Sequence, residues 1–182
     1  SNDTTESAYF LSANRGKHSI CVDIATNEGS AIVRALAQQA DIVIENYKVG
    51  DMTRYGLDYE SLRKLKPDIV YCSITGYGQT GPMKDVAGYD MAIQATGGLM
   101  SITGPEPGQP TKVGVALVDV LTGLHATIGI LAALRHREQT GEGQHLEVSL
   151  LTSLLSGLVN QSSAVIGAGV VPGILGNGHP SI

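Results

Sequence analysis

One carboxylate stands out as able to do covalent chemistry. Asp119 lies in Gly114-Val115-Ala116-Leu117-Val118-Asp119-Val120-Leu121-Thr122-Gly123, an ionisable group among apolar neighbours near the start of a long periodic segment. Two readings follow. It is a helix-capping or core aspartate satisfied by hydrogen bonds, or it is a nucleophile. The second role needs a carboxylate desolvated enough to attack and backbone donors placed for the oxyanion that results. Tyr89 and Asp90 precede it in Ala87-Gly88-Tyr89-Asp90, at what reads as a helix start. There Asp90 is a first-turn charge facing the macrodipole. Tyr89 is a packed ring, or a phenol donating a hydrogen bond at a reacting centre.

Gly76-Tyr77-Gly78-Gln79-Thr80-Gly81 matches G-x-G-x-x-G after a predicted strand. A dinucleotide fingerprint must also open a helix that receives the pyrophosphate, yet Pro82, Lys84 and Asp85 continue a loop. A glycine turn that brings backbone N–H groups near a ligand fits better. The histidines at 18, 125, 136, 145 and 179 show no metal-ligand spacing with a third ligand, so no metal is expected. Gly-x-Ser-x-Gly is missing, which argues against a serine hydrolase.

These residues need a frame, and the pattern supplies one. Residues 19–24 read as a strand, 27–40 as a helix, 41–45 as a buried strand, 49–56 and 59–65 as short helices, and 68–75 as another strand. Successive βα units argue for a parallel sheet covered by helices. Further on, 89–101 reads as a helix and 144–148 as a strand, with 150–167 a second apolar helix. The longest element is 115–137, where Leu117, Leu121, Leu124, Ile128, Leu131 and Leu134 mark a stripe expected to face the core. Cys21 and Cys72 sit in β-branched runs and are expected as buried thiols.

Composition narrows the classes. With 42% hydrophobic and 16% charged residues the chain is globular, and no apolar run is expected to span a membrane. A net charge of -5 disfavours nucleic acid; a small anion, held by a few local cations, remains open. Residues 1–7 have no signal-peptide character, so the Asn-x-Ser/Thr matches at Asn2 and Asn160 carry no meaning. A reducing compartment is expected, the cytoplasm or, in a eukaryote, the mitochondrial matrix.

Taken together, ordered blocks resemble the family III coenzyme A transferases, a group related to the α-methylacyl-CoA racemases. They are Ala8-Tyr9-Phe10-Leu11-Ser12-Ala13-Asn14-Arg15-Gly16-Lys17, Ile44-Glu45-Asn46-Tyr47, Tyr71 through Pro82, Ala87-Gly88-Tyr89-Asp90, the Asp119 stretch and Gly176-Asn177-Gly178-His179-Pro180. The resemblance implies a Rossmann-like α/β large domain, a parallel sheet with flanking helices. Residues 1–182 would be an incomplete portion of it, lacking the first βα unit and the C-terminal small domain, and inactive alone.

It also implies an interlocked homodimer, acyl-CoA and carboxylic acid substrates such as succinyl-CoA and a dicarboxylate, and no permanently bound cofactor. Asp119 would carry acyl and CoA groups, with Tyr89 beside it. Val22, Asn46, Tyr47 and Arg54 match positions that contact CoA, Val22 against the adenine and Arg54 on a phosphate. Ile24 and Ala25 follow Asp23 where the family often has an Asp-x-Lys pattern, so one cation for the phosphates is missing. The racemases place a histidine at position 89. A tyrosine titrating near ~10 is a poor base at neutral pH, which favours a transferase over an epimerase or a non-catalytic CoA-binding module.

Overall fold

The computed structural model describes residues 6–179; Asn2 and Pro180 lie outside the described residues. Its centre is a parallel sheet in the order β1-β2-β3, formed by β1 (Ile42–Glu45), β2 (Val70–Thr75) and β3 (His145–Ser149). Register runs from Ile42↔Val70 to Glu45↔Ser73 on one side and from Tyr71↔His145 to Thr75↔Ser149 on the other. This is the Rossmann-like α/β arrangement expected from the alternation of elements. β2 is bonded along both edges and covered on both faces, which is why Val70-Tyr71-Cys72-Ser73-Ile74-Thr75 reads as an almost unbroken buried run.

The two faces of β2 have separate covers. Val70 and Cys72 pack against Ala126, Ile130 and Ala133 of α7 (Leu117–Thr140). Tyr71 packs on the other side with Ala37 of α2 (Asn27–Gln39), Leu57, and Leu62 of α4 (Tyr59–Leu65). A third cluster, Ile93, Val118, Leu150 and Leu154, joins α5 (Asp90–Thr96), the start of α7 and α8 (Leu150–Gly157) beside the strand ends. Truncating a fully buried Leu or Ile in such clusters costs about 2–5 kcal/mol. α2 starts where Thr26 Oγ1 accepts the Gly29 N–H at 3.0 Å. The remaining helices are α1 (Ala8–Asn14), α3 (Asp51–Arg54), α6 (Leu99–Ile102) and α9 (Asn160–Ala168).

Several expectations are corrected. Residues 19–24 form no strand: they lie outside the three-stranded sheet, and Asp23 instead turns the chain into α2, its carboxylate accepting the Ala25 N–H at 2.9 Å. Cys21 in this stretch is exposed, whereas Cys72 is buried as expected. The helix expected over 89–101 is broken at Gly97-Gly98, because Gly98 adopts φ 89°, a conformation that ends one helix and caps the next. The helix expected over 150–167 bends by 89° between α8 and α9 at Val159, whose φ is 49°.

Half of the stripe on α7 faces away from the core: Leu117, Leu121 and Leu134 are half-buried, Leu134 against the β2 cluster, but the other three are not. The buried residues of α7 are Val118, Thr122, Ala126, Ile130 and Ala133, while Leu124, Ile128 and Leu131 are 56%, 63% and 61% exposed. The helix is apolar on all sides, and the side with smaller residues packs closer to the sheet. By length and composition α7 is also apolar enough to cross a membrane, against the expectation that no run would be. Its packing on β2 marks it as a core helix of this fold.

Candidate active site

Asp119 lies in the first turn of α7, in a cleft of ≈310 Å³ that also holds Asn46, Ile74, Gly88, Tyr89, Asp90, Thr122, Gly123 and Leu150. Asn46, Gly88 and Tyr89 also line a second cleft, of ≈160 Å³, with Tyr47, Lys48 and Lys84. The two clefts therefore meet along these three residues. Both lie at the C-terminal ends of the parallel strands, where an α/β sheet opens for ligands.

Local contacts explain how the residues converge. Asn46, just past β1, donates through Nδ2 to the Ile74 carbonyl at 2.6 Å, tying the ends of β1 and β2 together. Gly76, just past β2, touches the segment that carries Tyr89. A Cβ built on Gly76 would lie 2.5 Å from the Gly88 Cα, and one built on Gly88 would lie 2.5 Å from the Gly76 Cα. Only paired glycines permit that approach. The glycine turn then continues with Gly78 N–H donating to Thr75 Oγ1 at 3.0 Å. Turns rather than a helix follow it, and α5 begins only at Asp90.

Asp90 has a role that the sequence reading missed. Its Oδ2 accepts the Val118 N–H at 2.7 Å and the Asp119 N–H at 3.2 Å. Oδ1 accepts from Gln94 Nε2 at 2.6 Å, and Gln94 Oε1 accepts the Val113 N–H at 2.9 Å. A buried glutamine and a carboxylate thus tie α5, the 113 segment and the head of α7 into one unit. The signal was present: Ala116, at the cap position of α7, has no side chain able to accept these N–H groups. Some acceptor elsewhere in the chain had to do so. Asp90 thereby occupies the amides at the head of α7, which are not free to serve as an oxyanion site.

The electrostatics of Asp119 follow. Its carboxyl pKa lies above the usual carboxylate value, first because its surroundings partly desolvate it and second because the Asp90 carboxylate stands near. The residue is nevertheless exposed, as is Tyr89 at 75%. The dry, donor-lined pocket expected around Asp119 is therefore not closed by the described residues.

The structure brings Asp119, Tyr89 and Asn46 to one cleft and places Tyr47 at the adjoining one. Val22 and Arg54 line neither. Val22 is half-buried. Arg54 is ion-paired with Asp51 at 3.3 Å. Away from the clefts' junction, His145 Nε2 lies 2.9 Å from Ser73 Oγ, and its ring stacks on Tyr59 at 5.2 Å. Among the described residues no three His, Cys, Asp or Glu side chains are grouped to hold a metal ion.

Known proteins resemble the chain along nearly all its length. The succinate–glutarate CoA-transferase of Agrobacterium fabrum is 50% identical over 180 residues, 99% of this chain and 45% of that protein. The succinyl-CoA:glutarate CoA-transferase of Mus musculus is 52% identical over 149 residues, 82% of this chain and 34% of that protein. A crystal structure of a CAIB/BAIF family protein from Brucella suis superposes with a TM-score of 0.91 at 48% identity, covering 96% of this chain and 46% of that one. The chain spans less than half the length of these relatives. The sequence profile of CoA-transferase family III matches residues 1–182, and with the parallel sheet and the strand-end clefts in place, the chain belongs to CoA-transferase family III.

Proposed function

We propose that the protein moves coenzyme A from an acyl-CoA, succinyl-CoA or a close relative, to a carboxylic acid, with Asp119 as the group that carries the intermediates. The supporting observation is the position of Asp119: a carboxylate at the head of a long helix, its backbone fixed by Asp90, in a cleft shared with Tyr89 and Asn46. Asp119 attacks the thioester carbonyl, the carbon–sulfur bond breaks, and CoA thiolate leaves a mixed anhydride. The thiolate then attacks the Asp119 carbonyl carbon and expels the donor acid as its carboxylate, leaving an aspartyl-CoA thioester. The acceptor carboxylate attacks that thioester, re-forming an anhydride and the thiolate. Attack of the thiolate on the acceptor's acyl carbon yields the new acyl-CoA and frees Asp119. Protons balance throughout, since a carboxylate and a thioester enter and the same two groups leave.

Each exchange trades acyl derivatives of similar reactivity, so catalysis rests on positioning and oxyanion stabilisation. With the α7 amides taken by Asp90, the Tyr89 phenol, which lines the same cleft, is the donor assigned that role. A phenol in place of a base at position 89 also favours transfer over epimerisation. Water must be excluded from the anhydride. Asp119 is exposed in this chain, so the reading includes closure by the rest of the protein and by an interlocked second copy, with residues 1–182 alone unable to turn over. Relatives named as succinate–glutarate and succinyl-CoA:glutarate transferases support dicarboxylic substrates.

The test is trapping. Full-length protein incubated with succinyl-CoA and hydroxylamine should acquire a hydroxamate at Asp119, read by peptide mass spectrometry. Asp119→Ala should bind CoA without transfer. Unaltered transfer by that variant would end the proposal.

A further inference from the structure

The two side chains assigned to the reaction stand on different helices. Tyr89 is the residue before α5, its carbonyl accepting the Ile93 N–H at 2.9 Å, and Asp119 lies in the first turn of α7. Their relative placement therefore depends on what holds α5 against the head of α7. Ile93 of α5 and Val118 of α7 pack in one apolar cluster, but apolar contacts are non-directional and leave a helix free to slide or turn. Hydrogen bonds of fixed pairing and angle remove that freedom.

Gln94 supplies them. It is 1% exposed, and its amide is used at both ends: Nε2 donates to Asp90 Oδ1 at 2.6 Å, and Oε1 accepts the Val113 N–H at 2.9 Å. The partners fix which way the amide points, since a backbone N–H can only donate and a carboxylate can only accept. Asp90 passes the constraint on through Oδ2, which accepts the Val118 and Asp119 N–H groups at 2.7 and 3.2 Å. The chain from Val113 to Asp119 is thus gripped at its start by Gln94 and at its end by Asp90. Between these points it makes local bonds, such as that from the Leu117 N–H to the Val115 carbonyl at 2.8 Å.

We propose that Gln94 is a positioning residue for the transfer reaction: through Asp90 and Val113 it sets where Asp119 stands relative to Tyr89. It lines neither cleft and touches no reacting atom. This role rests on the transferase reading above and adds to it the residue that aligns the nucleophile. A glutamine is needed for a chemical reason. One end of the side chain must donate and the other accept, which neither an ionised glutamate nor an apolar side chain of equal length can do. A protonated glutamic acid can, with its O–H toward Asp90 and its carbonyl toward Val113.

That difference supplies the experiment. Full-length wild type, Gln94→Glu and Gln94→Met are compared from acidic to alkaline pH by thermal melting, by calorimetry with CoA and by steady-state transfer from succinyl-CoA to a dicarboxylate. Among the described residues the charged and titratable groups around α5 are Tyr77 on the Ile93 cluster, Tyr89, Asp90, Lys112 beside Val113, and Asp119 at the head of α7; α6 and α8 carry none. A glutamate at position 94 meets the Asp90 carboxylate in a buried place, so burial and like charge both raise its pKa and it is protonated on the acid side.

Gln94→Met is expected to lower kcat by about tenfold or more, as for a misplaced reacting group, with CoA affinity within about twofold of wild type. Gln94→Glu is expected to transfer at close to the wild-type rate at acidic pH and to fall behind by about tenfold as pH rises and the proton is lost. The ratio of the two rates cancels the titration of Asp119, which both proteins share. A ratio flat with pH, a Gln94→Met kcat within about twofold of wild type, or a Gln94→Glu chain that does not fold at acidic pH would each overturn the role. A glutamine of structural value alone would move the melting temperature and not the ratio. Where Gln94→Met fails to fold, the ratio alone decides. Wild-type protein that binds CoA but transfers nothing would overturn the transferase reading and this role with it, whereas wild-type transfer with a flat ratio overturns the role alone.

Discussion

Along its inner face α7 sets Val118, Thr122, Ala126, Ile130 and Ala133 against its neighbours, while its outer face holds Leu124, Ile128 and Leu131 in the open. The larger side chains are outside. What decides burial here is how closely two backbones must approach, since alanines on the inner face let the helix settle on β2. The outer leucines and isoleucine form a continuous apolar strip of a kind that association surfaces carry.

Four measurements would break or sharpen this contrast between a packed inner face and an open outer face and end. The largest effect belongs to the open end. Asp119→Asn is expected to lower transfer by about a thousandfold or more, as for loss of a covalent nucleophile. It is also expected to raise the melting temperature at neutral pH. The sign follows from the raised pKa of Asp119 in the folded chain, where the ionised form is disfavoured. The penalty is full above that folded pKa and vanishes below the unfolded value, so the gain in stability should vanish on acidification. A lower melting temperature at neutral pH would mean that Asp119 is a structural cap after all.

Second, Ile130→Ala on the inner face should cost about 2–5 kcal/mol in urea unfolding, and Ala126→Leu about 1–3 kcal/mol through overpacking. A smaller cost for Ala126→Leu would show that the helix and sheet are less tightly apposed than described.

Third, Asp90→Asn should lose about 1 kcal/mol as a weakened cap. Because the Asp90 charge is one of the two causes that hold the Asp119 pKa up, the acid limb of kcat/KM should move to lower pH. A limb that stays in place would assign the shift to desolvation alone.

The smallest effect is on the outer face. Ile128→Ala should change the stability of residues 1–182 by no more than about 0.5 kcal/mol. A cost several times larger in the full-length protein, or a change in its oligomeric state, would show that this strip is covered there.

Much of this architecture was legible because local patterns agreed with it. β1, β2, β3, α2 and α4 carry the expected periods, and their ends fall where Thr26, Gly56 and Pro67 interrupt the pattern. Residues 19–24 misled because an extended β-branched run becomes a strand only when a neighbour offers a ladder, and the ordering of strands is a tertiary fact. The stripe on α7 misled because the helix is apolar all round, so periodicity could not choose a face. In the site, Asp119 and Tyr89 were legible from their own stretches and Asn46 only through the family resemblance, and the three line one cleft. Asp90 and Gln94 escaped because their partners lie 19 to 29 positions away and are backbone groups, which carry no side-chain signature.

The touching backbones of Gly76 and Gly88 have a further consequence. The chain between them leaves a fixed point and returns to it, so residues 77–87, Lys84 among them, hang on the fold as a closed excursion. Such a segment can accept new residues or a different length while Tyr89 stays where it is relative to β2. Divergence can then rework what this loop greets at the mouth of the cleft and leave the chemistry behind it untouched.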